Sequence, residues 1–105
     1  MCREYTKEEV REQFLYHVRT MVNYWDSIPK KTTKEKLSGL AFSILTALDG
    51  CAGDLPGFIV APLSHPNDKQ YRIENEENYY PENHEIENKI KCDIAGGLHE
   101  LFYKG

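Results

Sequence analysis

Four histidines, three cysteines and seventeen acidic residues are the groups that could do chemistry in this 105-residue chain. His99-Glu100 is half of the H-E-x-x-H zinc motif. In that motif, two imidazoles one helical turn apart hold the metal and the glutamate takes a proton from bound water. The second histidine is missing here. Asp93 and Glu100 are seven positions apart and share a helical face, whereas His99 lies about 100° round the axis from Glu100. A metal-dependent hydrolase built on Asp93, His99 and Glu100 therefore needs ligands from another element, with Asp49, Asp54 and His84 as candidates. The competing reading makes His99 and Glu100 ordinary surface or capping groups of a helix.

Arg11 and His17 match the R-x(4–6)-H spacing of the HEPN ribonucleases, but without that family's surrounding context. A solvent-facing arginine and a half-buried histidine on one helix account for the pair as well. Cys2, Cys51 and Cys92 show no C-x-x-C spacing. Cys51 follows a helix end and not a helix start, so no dipole lowers its pKa toward a nucleophilic thiolate. The chain has no P-loop, no G-x-G-x-x-G and no G-x-S-x-G. No cofactor and no catalytic residue is implied.

The residues from Lys69 to Pro81 offer binding chemistry instead. Tyr71, Arg72, Tyr79 and Tyr80, with Lys69, are of the kinds that anchor interfaces. They could equally cover the core with their hydroxyls in water. A further version stacks the tyrosines on a base, with Arg72 or Lys69 meeting a phosphate, a sequence-tolerant arrangement.

The elements that position these groups are legible from caps and periodicity. Thr6-Lys7-Glu8-Glu9 and Thr32-Thr33-Lys34-Glu35 are capping boxes, with threonine accepting the N3 amide while glutamate reaches back. After the first, Val10, Phe14, Val18, Met21, Val22 and Trp25 form one apolar stripe. Pro29 then closes a helix near 6–27. After the second, Leu37, Leu40, Ala41, Ile44, Leu45 and Leu48 form the expected core stripe. Gly50 is the natural left-handed stop. Little polar surface remains on this helix, so it reads as central and buried on more than one side.

Phe58-Ile59-Val60-Ala61 reads as a short strand with Gln70-Tyr71-Arg72-Ile73 as its partner. Alternatively, Pro66 opens a helical turn and removes the hairpin. Ile86, Ile90, Ile94, Leu98, Leu101 and Phe102 recur at helical spacing. They predict a third helix, interrupted at Gly96-Gly97 at a cost of ~1 kcal/mol per glycine. Such glycines allow close approach, here to Gly39 or Ala41. The small-residue faces of helices two and three could also serve a homo-oligomer.

Composition bounds the function. A chain of this length is one domain on the usual prior. The net charge of −4 argues against sequence-independent nucleic-acid binding, which rests on basic residues neutralising phosphates. An odd cysteine count without an apolar leader predicts free thiols in a reducing cytosol. No run of residues is apolar enough to span a membrane.

Three segments taken together resemble a family of small uncharacterised proteins of bacteria, phages and prophages. They are Gly39 to Leu45 with Leu48-Asp49-Gly50; His65 to Lys69 with Glu77 to Pro81; and Asp93 to Tyr103. The resemblance covers the chain from about Leu37 onward. It implies a helical, cytosolic accessory protein and assigns no activity.

The expectation is a mainly α domain over residues 1–105, with three helices and a short β-strand or irregular excursion between helices two and three. The leading functional reading is a non-enzymatic binding protein, a phage-type accessory factor acting on a host protein in counter-defence or regulation. It rests on analogy. The alternatives are a sponge for a small nucleotide ligand and a metal-dependent hydrolase.

Overall fold

The computed structural model describes residues 2–104 and is mainly helical, with no strand among them. Its helices are α1 (Lys7–Ser27), α2 (Thr33–Leu48), α3 (Asp68–Glu74) and α4 (Leu98–Phe102), with a 3₁₀ turn at Glu87–Lys89. The chain divides into two compact units. One is formed by the residues up to Phe58 together with Cys92 onward, and the other by Ile59–Lys91.

Local chemistry sets both ends of the two long helices. Thr6 Oγ1 accepts the Glu9 amide at 3.1 Å and Glu9 Oε1 accepts the Thr6 amide at 2.9 Å. Thr32 and Glu35 repeat the exchange at 3.1 and 3.3 Å. Each box supplies acceptors for two amides with no intrahelical partner. Ile28 is extended ahead of Pro29, which ends α1. The last turn of α1 has no basic residue of its own. Lys36 of α2 fills that role by donating to the Asp26 carbonyl at 2.8 Å. At the end of α2, the Gly50 amide bonds Ala47 O and the Cys51 amide bonds Thr46 O, at 3.2 and 2.9 Å. With Gly50 at φ 83°, this is a Schellman motif.

The core of the first unit is centred on α1, which packs on both α2 and α4. Phe14, Leu15, Ala47 and Ile94 are buried. Val10, Val18, Ile44, Leu48, Leu55, Phe58, Leu98, Leu101 and Phe102 surround them. Phe58 is drawn in by its amide bonding Leu48 O at 2.9 Å, and its ring meets Phe14 edge-on at 5.2 Å. Arg19 fastens the C-terminal end. Its Nε and Nη2 donate to the carbonyls of Phe102 and Leu101 at 3.1 and 2.8 Å, while Nη1 pairs with Glu12 at 2.8 Å.

Several expectations need correction. Helix two is not buried on more than one side: Ile44, Ala47 and Leu48 face the core and Leu40 is half-buried, but Leu37, Ala41, Phe42 and Leu45 are exposed. Leu15 is buried although it lay outside the expected stripe. The hairpin does not form. Phe58 to Ala61 has no strand partner because Gln70 to Ile73 lies in α3, which starts just after Pro66-Asn67.

The long third helix is absent too. Cys92, Gly96 and Gly97 all take positive φ, 62°, 95° and 74°, which breaks a right-handed helix on both sides of Ile94. Only α4 follows them. Gly39 does serve close packing, but against helix one: a Cβ there would lie 2.5 Å from the Trp25 ring. A Cβ on Gly96 or Gly97 would meet nothing within 4 Å.

The second unit has no buried side chain among its described residues. Polar and cation–aromatic contacts between α3 and the following segment hold it together.

Candidate functional site

In the second unit, α3 places Asp68, Lys69 and Arg72 on one side, and the extended stretch after Asn75 returns along them. Arg72 Nε pairs with Asp68 Oδ2 at 2.8 Å, one helical turn away, and Nη1 donates to the Asn78 carbonyl at 3.3 Å. Its guanidinium lies over the Tyr80 ring, 5.1 Å from the centroid. Lys69 Nζ stands 5.2 Å from the Tyr79 ring centroid and 3.4 Å from Glu82 Oε1. Asn83 Nδ2 donates to the Pro62 carbonyl at 2.8 Å, tying the two ends of the unit.

Four of the five residues singled out from sequence, Lys69, Arg72, Tyr79 and Tyr80, are thus brought together as two cation–ring pairs. Tyr71 is exposed and turned about 100° from its neighbour Arg72. Arg72 and Tyr80 line a shallow recess of about 310 Å³ with Pro62, Leu63, Ser64 and His65.

Electrostatics decides what this surface can take. The Arg72 pKa is raised, first by its hydrogen bond to Asp68 and then by that carboxylate's charge. The guanidinium is therefore fully charged and already compensated. Lys69 pairs with Glu82 at 3.4 Å. Both ion pairs are part-exposed, where such pairs contribute little. What the surface offers is two tyrosine rings held against two cations that are each paired with a carboxylate.

The first unit has a second concavity of about 620 Å³, along one side of α1 and the loop after α2. Tyr5 and Tyr16 flank it, and Gln13, His17, Thr20 and Asp54 supply its polar groups. No lysine or arginine lines it. Sequence reasoning reached His17 and Asp54 for other roles and missed the tyrosines. The spacing of Gln13, His17 and Thr20 on one helical face was the available signal.

The metal candidates do not assemble. No group of three histidine, cysteine, aspartate or glutamate residues could hold an ion among the described residues. Asp49 is at the end of α2, and Asp93 Oδ1 accepts the Ala95 amide at 3.0 Å. His99 and Glu100 are both exposed, with Nε2 and Oε1 3.8 Å apart. His84 Nδ1 is 3.7 Å from Glu82 Oε2 and has no hydrogen-bond partner. Arg11 and His17 point about 120° apart round the α1 axis, which separates them as a catalytic pair. The three cysteines are free and exposed. No helix among the described residues is long and apolar enough to cross a membrane.

Comparison of the chain with protein-family models, curated proteins and solved structures returns no match.

Proposed function

We propose that the protein is a non-enzymatic binding protein that engages a host protein through the aromatic surface of its second unit. One observation carries this reading: Tyr79 and Tyr80 are fixed by Lys69 and Arg72, yet remain 51% and 53% exposed. Rings held in place before contact bind with a smaller entropic cost than mobile ones. Tyrosine and arginine dominate the energetics of protein interfaces, and the exposed Leu63 lines the same recess as Arg72 and Tyr80. The resemblance to small bacterial and phage proteins supports an accessory role in the cytosol.

Capture of host proteins on the immobilised chain, compared with the Tyr79→Ala/Tyr80→Ala variant, tests the reading. The variant should lose its partner while its thermal midpoint holds, because the second unit contributes no buried side chain to the core. A partner retained at equal yield by the variant refutes it.

A second reading, a small-molecule binder, is favoured by the 620 Å³ groove of the first unit, which falls within the range of ligand pockets. Its tyrosines, with Gln13, Thr20 and the Asp54 carboxylate and without lysine or arginine, suit a planar heterocycle that carries hydrogen-bond donors, not a phosphate. A ligand bound there raises the thermal midpoint by mass action, and Tyr16→Ala should abolish that rise. A midpoint indifferent to nucleosides, nucleotides and related heterocycles counts against this reading.

A further inference from the structure

The groove beside α1 holds a charge that the chain itself does not answer. Asp54 lines it, is exposed, and makes no hydrogen bond or ion pair with the described residues. The turn that carries Asp54 is nevertheless fixed. The Leu55 amide bonds Ala52 O at 3.1 Å, and the Phe58 amide bonds Leu48 O at 2.9 Å. Gly53, at φ 55°, takes the left-handed position just before Asp54. The backbone thus holds a carboxylate at the groove and gives it no partner.

The rest of the lining suits the same chemistry. No lysine or arginine contributes to it. Glu9, one turn before Gln13 on α1, keeps Arg3 by two bonds of 2.6 Å, and neither residue lines the groove. Thr20 spends its hydroxyl hydrogen on the Tyr16 carbonyl at 2.8 Å, so its oxygen is left as an acceptor. Gln13 and a neutral His17 add further acceptors. Tyr5 and Tyr16 are 61% and 68% exposed. Tyr5 and Val10 occupy the N′ and N4 positions of α1, those of a hydrophobic staple that fixes how the chain enters the helix. Aromatic faces attract cations, and carboxylates pair with them. The net charge of −4 adds to the attraction.

Resting on the small-molecule reading of this groove, we propose that it binds a small organic cation with a flat, donor-bearing head. The class is amidinium, guanidinium or protonated amino-heterocycle. The head donates to the Asp54 carboxylate, and its positive charge lies against the tyrosine rings. An anionic ligand meets Asp54 with like charge and is rejected.

Benzamidine and benzamide separate charge from shape. Both are flat rings with a planar head, and only benzamidine is a cation. Each is titrated into the isotope-labelled full chain to ~20 mM, a range that covers the affinity of so small a ligand. The titration is run at about pH 8, so that histidine carries little charge. Benzamidine should shift the amides of Thr20, Gly53 and Asp54. It should bind at least about fivefold tighter than benzamide, the worth of a charge-assisted hydrogen bond at a part-exposed site. Asp54→Asn should weaken benzamidine by about three- to tenfold and leave benzamide unchanged. Asp54 has no partner to lose, so the thermal midpoint of that variant should match the wild type.

Equal affinity for the two probes overturns the cation and leaves a flat neutral ligand standing. Benzamidine binding that Asp54→Asn does not weaken also overturns it. So do shifts from neither probe, and adenosine, a neutral heterocycle with donors, then decides whether the small-molecule reading falls as well.

Discussion

Gly39→Ala separates helix propensity from helix packing in a single substitution. In an exposed helix interior, alanine stabilises relative to glycine by ~1 kcal/mol. Here the new Cβ would lie 2.5–2.6 Å from three ring carbons of Trp25. That ring has little room to withdraw, because its Nε1 donates to Ser43 Oγ at 2.9 Å and its face meets Tyr24 edge-on at 5.3 Å. Overpacking of this kind costs about 1–3 kcal/mol. Rotating the indole away also loses a hydrogen bond worth about 0.5–1.5 kcal/mol. Against the propensity gain, the net loss is roughly 0.5–3.5 kcal/mol.

At about 4–8 °C per kcal/mol for a chain of this size, the thermal midpoint should fall by a few degrees to more than twenty. Circular dichroism melts measure this, and emission from the single tryptophan reports whether the ring moved. The decisive control is the same substitution in a Trp25→Leu background. There the obstacle is gone, and Gly39→Ala should become neutral or stabilising. If it stabilises the wild-type chain, the close packing of α2 on Trp25 is refuted.

The Glu9 carboxyl titrates far below its ordinary range, at about 2, chiefly because Arg3 hydrogen-bonds it and secondarily because it accepts the Thr6 amide. A depressed carboxyl pKa stabilises the folded chain above the ordinary value of 4.5, and this contribution fades as pH falls toward 2. Carbon-detected NMR of the side chain should show that midpoint, and Arg3→Ala should raise it; a wild-type midpoint near 4.5 refutes the cap. Arg19→Ala should destabilise the chain by about 1.5–3 kcal/mol, the worth of hydrogen bonds to a charged donor. It should also speed amide exchange at Leu101 and Lys104. Arg19→Lys should restore little, because an ammonium cannot reproduce the fork. Unchanged exchange would show that the C-terminal helix is held without it.

The two long helices were legible because their signals are local. A threonine three residues before a glutamate forms its box within one turn, and Pro29 and Gly50 act on their own backbone, so the observed ends of α1 and α2 fall within a residue or two of expectation. Misreadings came where neighbours decide. The isoleucines 86, 90 and 94 have helical spacing, yet spacing does not show that Cys92, Gly96 and Gly97 would take left-handed conformations and stop propagation. Phe58 to Ala61 has strand composition but no chain to pair with. The stripe of helix two mixed inward with outward residues, because an uncharged outer face carries no polar signal to set the phase. Lys69, Arg72, Tyr79 and Tyr80 were legible as a group by type and proximity in sequence. Their contacts, and the pairing of each cation with Asp68 or Glu82, depended on where the chain turns after Asn75.

Ile94 and α4 complete a core begun by α1 and α2, so the chain must close a loop through Ile59–Lys91 before the first unit is whole. The entropy of closing a loop grows only with the logarithm of its length, and doubling it costs about 0.6 kcal/mol. None of the described side chains in that stretch is buried. Its length and sequence are therefore nearly free to drift without unfolding the helices that flank it. A recognition surface carried on such a segment can be lengthened, trimmed or replaced far more readily than one built into the core.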